Sequence, residues 1–201
     1  MRLILLFCFL PIISYSQQVE PTKDVQEFYD FCLKETEKVV PFEYQPEDYF
    51  YTVTDSGERK YIQNDLSGIK VLFYWSTSCH YCKKELKELK LILKDNPEWK
   101  EQMMIAVRAD FKWEHASIVK EGEEYVLYKK SKEYIRTTIP VVLISEEFGE
   151  KNNFIGNPHT FFYNKPGQIA LYKGAYLATK EKLDTPMNQQ FLDYMFNRML
   201  D

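Results

Sequence analysis

"KVLFYWSTSCHYCKKELKEL", residues 70–89, joins an apolar run to a charged, periodic one, with two cysteines near the junction. The run IKVLFYW (69–75) is continuous, as expected of a strand buried on both faces. From about His80 to Lys94 the apolar residues recur at helical spacing, and Asn96-Pro97 stops the helix. At helical steps of about 100°, Cys82, Leu86, Leu89, Ile92 and Leu93 share one arc. Lys83, Lys84, Lys87, Glu88, Lys90 and Lys94 take the remainder, with Leu91 as the apolar exception. Cys79 thus follows a buried strand and opens a helix, and Cys82 lies one turn further in.

The Cys79–Cys82 spacing permits a structural staple, half of a metal site or a redox couple. A metal site needs four ligands, usually a second close pair. Only Cys32, His80, His115 and His159 remain, scattered along the mature chain, so no metal is expected. A permanent disulfide across so short a loop adds little through chain entropy. A helix start, by contrast, favours negative charge and so the reactive thiolate. This position makes Cys79 the attacking nucleophile and Cys82 the resolving thiol. Glu85 breaks the helix pattern, falling inside the apolar arc between Leu89 and Ile92. Desolvation raises a carboxyl pKa, so Glu85 is expected to accept the Cys82 proton as a mixed disulfide resolves.

The 201-residue chain is 45% hydrophobic, 28% charged and 16% aromatic, which suits one main globular domain with a ring-rich core. A net charge of −4 without a basic block gives no sign of nucleic-acid binding. The opening MRLILLFCFLPIISYSQQ has one Arg2, an apolar run from Leu3 to Ile13, and Ser14 and Ser16 before Gln17. That composition predicts a secretory signal peptide over 1–16, with an apolar run shorter than the roughly 20 residues of a span. Cleavage would leave no membrane span and place the chain in the periplasm or on the outer face of the cytoplasmic membrane; left uncleaved, the segment would instead be an anchor. Cys8 would go with the signal, leaving Cys32, Cys79 and Cys82, or one bridge plus one thiol.

Residues 17–44 are expected to form a helical arm, with Val25, Phe28, Tyr29, Cys32 and Leu33 at helical spacing, Thr22 as its cap and Pro41 closing it. Cys32 lies in that stripe and reads as a packing cysteine. The main domain, 45–201, begins with a strand near Tyr49 to Thr54, turns at Ser56-Gly57, and continues through strand 69–75, the helix and strand 103–109. Strand, helix and strand make a parallel βαβ unit. A mostly polar helical region is expected over 113–136, weakened by Gly122. VVLIS (141–145) is a short apolar segment, TFFYN, KPGQ and IALYKG form a hairpin, and a helix over 186–200 ends the chain. Trp75 is expected in the core beneath the cysteines.

Taken with GNPHTFFYNKPGQI (156–169) and IPVVLI (139–144), the segment 70–89 resembles the thioredoxin-like proteins, specifically exported thiol-disulfide oxidoreductases of the TlpA/ResA type. The likeness covers roughly 45–200 and leaves the helical arm outside. It implies an α/β thioredoxin-like fold, a central mixed sheet flanked by helices. It also implies a cis bond before Pro158 facing the CxxC, with the Asn157 backbone open to a substrate strand. Catalysis would rest on Cys79, Cys82 and Glu85, and substrate contacts on Asn157, Pro158, Trp75, Ser78, His80 and Tyr81. The cofactor would be the Cys79–Cys82 disulfide itself. The partners implied are client proteins bearing cysteines or disulfides and a membrane thiol electron donor. Three positions depart from the family pattern: Ser78 replaces a common tryptophan, His80 a small or acidic residue, and Asn157 a threonine or apolar residue. A cationic His80 would stabilise the Cys79 thiolate and make the pair more oxidising.

Overall fold

The computed structural model describes residues 20–37, 50–53, 59–61, 68–108, 116–129, 131–144, 158–165, 168–174 and 185–200. The segment 1–16 with Cys8, the turn at Ser56-Gly57, His115 and Asn157 lie outside them, as does the peptide bond from Asn157 to Pro158.

Helix α1 (Lys23–Thr36) starts at Thr22, whose Oγ1 accepts the Val25 N–H at 3.4 Å, a side-chain N-cap. Strands β1 (Phe50–Val53), β2 (Arg59–Tyr61) and β3 (Val71–Ser76) follow, then α2 (His80–Asp95). A 3₁₀ turn (Pro97–Gln102) leads to β4 (Met103–Arg108). Next come β5 (Ala116–Glu121), β6 (Glu124–Lys129), β7 (Lys132–Thr137) and β8 (Val141–Ile144). The hairpin β9 (His159–Lys165) and β10 (Gln168–Lys173) precedes α3 (Thr185–Met199).

Seven strands form one mixed sheet in the order β10-β9-β3-β4-β8-β1-β2. Its centre is parallel: β3 pairs with β4 from Val71↔Met103 to Ser76↔Arg108, and β4 with β8. The flanks are antiparallel, β9 and β10 on one side and β1 and β2 on the other. The continuous apolar runs explain this arrangement, since every residue of β3 and β8 is buried. Val71, Phe73 and Trp75 share the main core with Phe28 of α1, Leu89 of α2 and Phe191 and Phe196 of α3. Leu72, Tyr74, Ala106 and Phe161 alternate onto the other face in a second apolar cluster.

The stripe of α1 is narrower than its spacing predicts. Val25, Phe28 and Cys32 are buried and Leu33 lies at the exposed rim. These residues enter the same core as the CxxC helix, so α1 packs on the domain rather than standing away from it.

Among the described residues, the polar helix expected over 113–136 is replaced by strands: β5, β6 and β7 form a second, antiparallel sheet in that order. Gly122, read as weakening a helix, is a turn residue at φ 62, between the paired Glu121 and Glu124. Two-residue hairpin turns require such a backbone. Ser131, also at positive φ, lies in the next turn. Ile118, Tyr125, Val126, Tyr134 and Ile135 supply the β-branched and aromatic content that favours strands. Among the described residues, no helix is long and apolar enough to cross a membrane.

Candidate active site

Cys79 and Cys82 are joined as a disulfide, their Cα atoms 5.3 Å apart. Cys79 is the N-cap of α2, in extended backbone at φ −74 and ψ 113, and its Sγ accepts the Cys82 N–H at 3.0 Å. An otherwise unpartnered N–H of the helix start thus points at the sulfur that would carry negative charge after reduction. Cys79 is half-buried and Cys82 is buried, so an approaching sulfur meets Cys79 first.

Ser78 and His80 are exposed on either side of Cys79, and Tyr81 is half-buried against the His80 ring. The Ser78 Oγ lies 3.1 Å from the Ser76 Oγ. Pro158 is buried just ahead of β9, and shares a small cavity with Tyr81. His159, next to it, pairs through Nδ1 with the Tyr172 hydroxyl at 2.6 Å, the two rings stacked. Trp75 is wholly inside, below the cysteines, where its Nε1–H donates to Glu85 Oε2 at 3.0 Å. On the other side of Cys82, Tyr134 and Ile135 of β7 close a second small cavity with Trp75 and Leu86. The misread segment therefore reaches the site.

Glu85 does fall in the buried arc, but not as a lone carboxylate. Its Oε1 accepts from Lys173 Nζ at the end of β10. Lys173 also donates to Asn188 Oδ1 of α3 at 2.9 Å, and Asn188 Nδ2 donates to Glu88 Oε2. All four are inside the protein, with Glu85 2%, Glu88 4%, Lys173 1% and Asn188 3% exposed. Glu88, assigned by helical spacing to the solvent face, is thereby corrected: the α2–α3 contact covers it and Asn188 satisfies it. Burial raises the Glu88 pKa above its ordinary value; Glu85 adds to the rise, while the Asn188 hydrogen bond, Lys173 and Lys84 oppose it.

Lys173, Asn188 and Glu88 were not singled out from sequence, though two carried a signal. Lys173 has the same strand parity as the buried Leu171, and Asn188 lies on the helical stripe of Phe191, Leu192 and Met195. A polar residue in an inward position needs a partner.

Cys32, the remaining described cysteine, is a free thiol buried in α1. Burial pushes its pKa up to about 12, with Lys173 pulling it down and Glu35 adding to the rise. Among the described residues, no three metal-ligating side chains cluster.

No family model matches the chain, and no curated protein does. Solved structures to which it is similar include the exposed lipoprotein thioredoxin of Streptococcus pneumoniae strain TIGR4, at 16% identity and a TM-score of 0.40, over 72% of this chain and 97% of that one. StoA from Bacillus subtilis gives 20% and 0.37, over 77% and 98%. The thioredoxin domain of a thiol-disulfide oxidoreductase from Bacteroides vulgatus gives 14% and 0.38, over 70% and 96%. Likeness at this level decides no activity, so the chemistry rests on the cysteine pair and the ion network beneath it. By its own topology, a central mixed sheet flanked by helices with a CxxC at the start of α2 just after β3, the fold is thioredoxin-like.

Proposed function

We propose that this protein is a thiol-disulfide oxidoreductase that reduces disulfides of exported client proteins through Cys79 and Cys82. The observation that carries the reading is the asymmetry of the pair: a half-buried Cys79 at the helix start and a buried Cys82 one turn from the Glu85 carboxylate.

In the reduced protein the Cys79 thiolate attacks one sulfur of a client disulfide. A Cys79–client bond forms and the other client sulfur leaves as thiolate. Cys82 then gives its proton to Glu85 and attacks Cys79 Sγ. The mixed disulfide breaks, the second client sulfur leaves, and the Cys79–Cys82 bond closes. Two electrons pass from the pair to the client, whose sulfurs take up two protons. A dithiol donor at the membrane restores the reduced pair by the reverse exchange. The exposed Ser78 and His80, with Tyr81, Pro158 and Asn157, would meet the client, Asn157 and Pro158 by strand addition. Trp75 would act from below, by holding Glu85.

The signal-like segment 1–16 supports export, and the family resemblance supports the reducing direction. The test is Cys82→Ser in the full chain, expressed in cells: client proteins should accumulate on Cys79 as mixed disulfides. The wild-type protein should also speed insulin reduction by dithiothreitol. Absence of both the trapped species and insulin reduction would overturn the assignment in favour of a non-catalytic binding protein. A pair found mostly oxidised in cells would instead reverse the direction of electron flow.

A further inference from the structure

Beneath the CxxC a second carboxylate, Glu88, is joined through Asn188 to the lysine that pairs with Glu85. Glu85 and Glu88 lie one turn apart on α2, both buried, and Lys173 with Asn188 links them in an unbroken hydrogen-bonded chain. With all three ionisable groups charged the chain carries one negative charge in excess, a costly state inside a protein. A single added proton removes that excess. A cavity of about 10 Å³ runs along the chain, lined by Tyr81, Lys84, Glu85, Glu88 and Pro158, with Lys173 and Asn188. That is close to the smallest space that admits one water, and its walls include Tyr81 of the motif itself and Pro158 ahead of β9.

We propose that Glu88, hydrogen-bonded by Asn188 and lying in the field of Lys173, is a positioning residue of the resolving step, whose charge sets how readily Glu85 takes the proton that leaves Cys82. This inference rests on the thiol-disulfide exchange proposed above. As Cys82 attacks, its proton passes to Glu85, and the Glu85–Lys173–Asn188–Glu88 chain holds it without an excess charge. The Cys79–client bond then breaks and the client sulfur departs with the electron pair. The proton reaches it through the water-sized space beside Tyr81 and Pro158, so the client leaves as a thiol and charge balances. Glu88 and Asn188 act through Glu85 and are positioning residues for it.

Among the described residues, Tyr81 lines the same small cavity as Glu88, and other groups act on it from three elements. Lys84 and Glu85 act from its own helix, and Lys173 from β10. Asn188 faces it from α3 without titrating, and from α1 the Cys32 thiol lies in the field of Lys173. Burial holds the Glu88 carboxyl above its ordinary value, with Glu85 adding to the rise and Asn188, Lys173 and Lys84 opposing it.

The test is Glu88→Gln in the full chain, which keeps an oxygen to accept from Asn188. Resolution of a preformed Cys79–peptide mixed disulfide should slow about tenfold near neutral pH, less than the roughly 10²–10⁴ expected of the proton-transferring group itself. Its pH profile should lose one carboxyl titration, while alkylation of reduced Cys79 by iodoacetamide keeps its wild-type rate. Glu88→Asp should restore the titration. An unchanged rate and profile in Glu88→Gln, or equal slowing of resolution and of Cys79 alkylation, overturns the proposal. Independently of any variant, the wild-type reduction potential plotted against pH should show a carboxyl inflection from the cluster, and a plot without one overturns it. Wild-type protein that exchanges with no disulfide substrate defeats the functional reading, and this one with it. Active wild type with an indifferent Glu88→Gln defeats only this one.

Discussion

Lys173 beneath the CxxC and Arg136 on the second sheet are both cations set among carboxylates. Arg136 of β7 meets Glu121 at 2.9 Å, Glu124 at 3.1 Å and Glu133 at 2.9 Å, tying the three strands of that sheet together at its surface. Lys173 has fewer partners, but they are all inside. Lys173 pairs directly with Glu85 alone and reaches Glu88 through Asn188, and its surroundings are the opposite of those of Arg136. Water screens the Arg136 pairs and competes for each of their bonds. Around Lys173 nothing replaces a lost partner, so removing one group leaves buried charge exposed to a low-dielectric interior. The count of ion pairs therefore says little, and their burial decides which of them the fold depends on.

Lys173→Met should break the comparison most sharply. It strands Glu85 and Glu88, and we expect a loss of about 3–5 kcal/mol in urea unfolding. Combining it with Glu85→Gln and Glu88→Gln should recover much of that loss, and failure to recover would show that Lys173 matters for packing rather than charge.

A smaller effect follows from Glu88. Its folded pKa lies above the ordinary value of 4.5, chiefly through burial. Between those two values the folded state binds more protons than the unfolded state, so stability falls as pH rises through the window. Stability measured from below pH 4.5 upward should show this decline in the wild type, and Glu88→Gln should remove it.

Smaller again is the effect on Cys32, which lies in the same field. With its thiol held at about 12 by burial, it should resist iodoacetamide at pH 8 in native protein and react on unfolding. Labelling of native Cys32 would mean that α1 opens readily.

Last comes Arg136→Gln, expected to leave the unfolding midpoint almost unchanged, and unchanged altogether in high salt. A large drop would erase the contrast.

The centre of the main sheet was legible because β3, β4 and β8 are continuous apolar runs, whose burial on both faces leaves few alternatives. The CxxC at the start of α2 and the inward Glu85 were legible for the same reason, since helical spacing fixes which face a residue joins. The second sheet was not: charged residues interrupt its apolar positions, and Gly122 can mean a weak helix or a tight turn depending on pairing that only the tertiary structure supplies. Glu88 was misplaced because a single helix cannot reveal that α3 covers its flank. Lys173 meets Glu85 across 88 positions of sequence and Asn188 meets Glu88 across 100, beyond any local pattern.

The central claim is that Cys79 and Cys82 form a working couple rather than a staple, and one titration tests it directly. Native protein would be equilibrated in glutathione buffers of graded composition and the free thiols counted by alkylation. The account predicts a reversible two-electron transition with the fold intact throughout, Cys79 being the first thiol to react in the reduced form. A pair that stays oxidised across every mixture, or opens only when the protein unfolds, would contradict it.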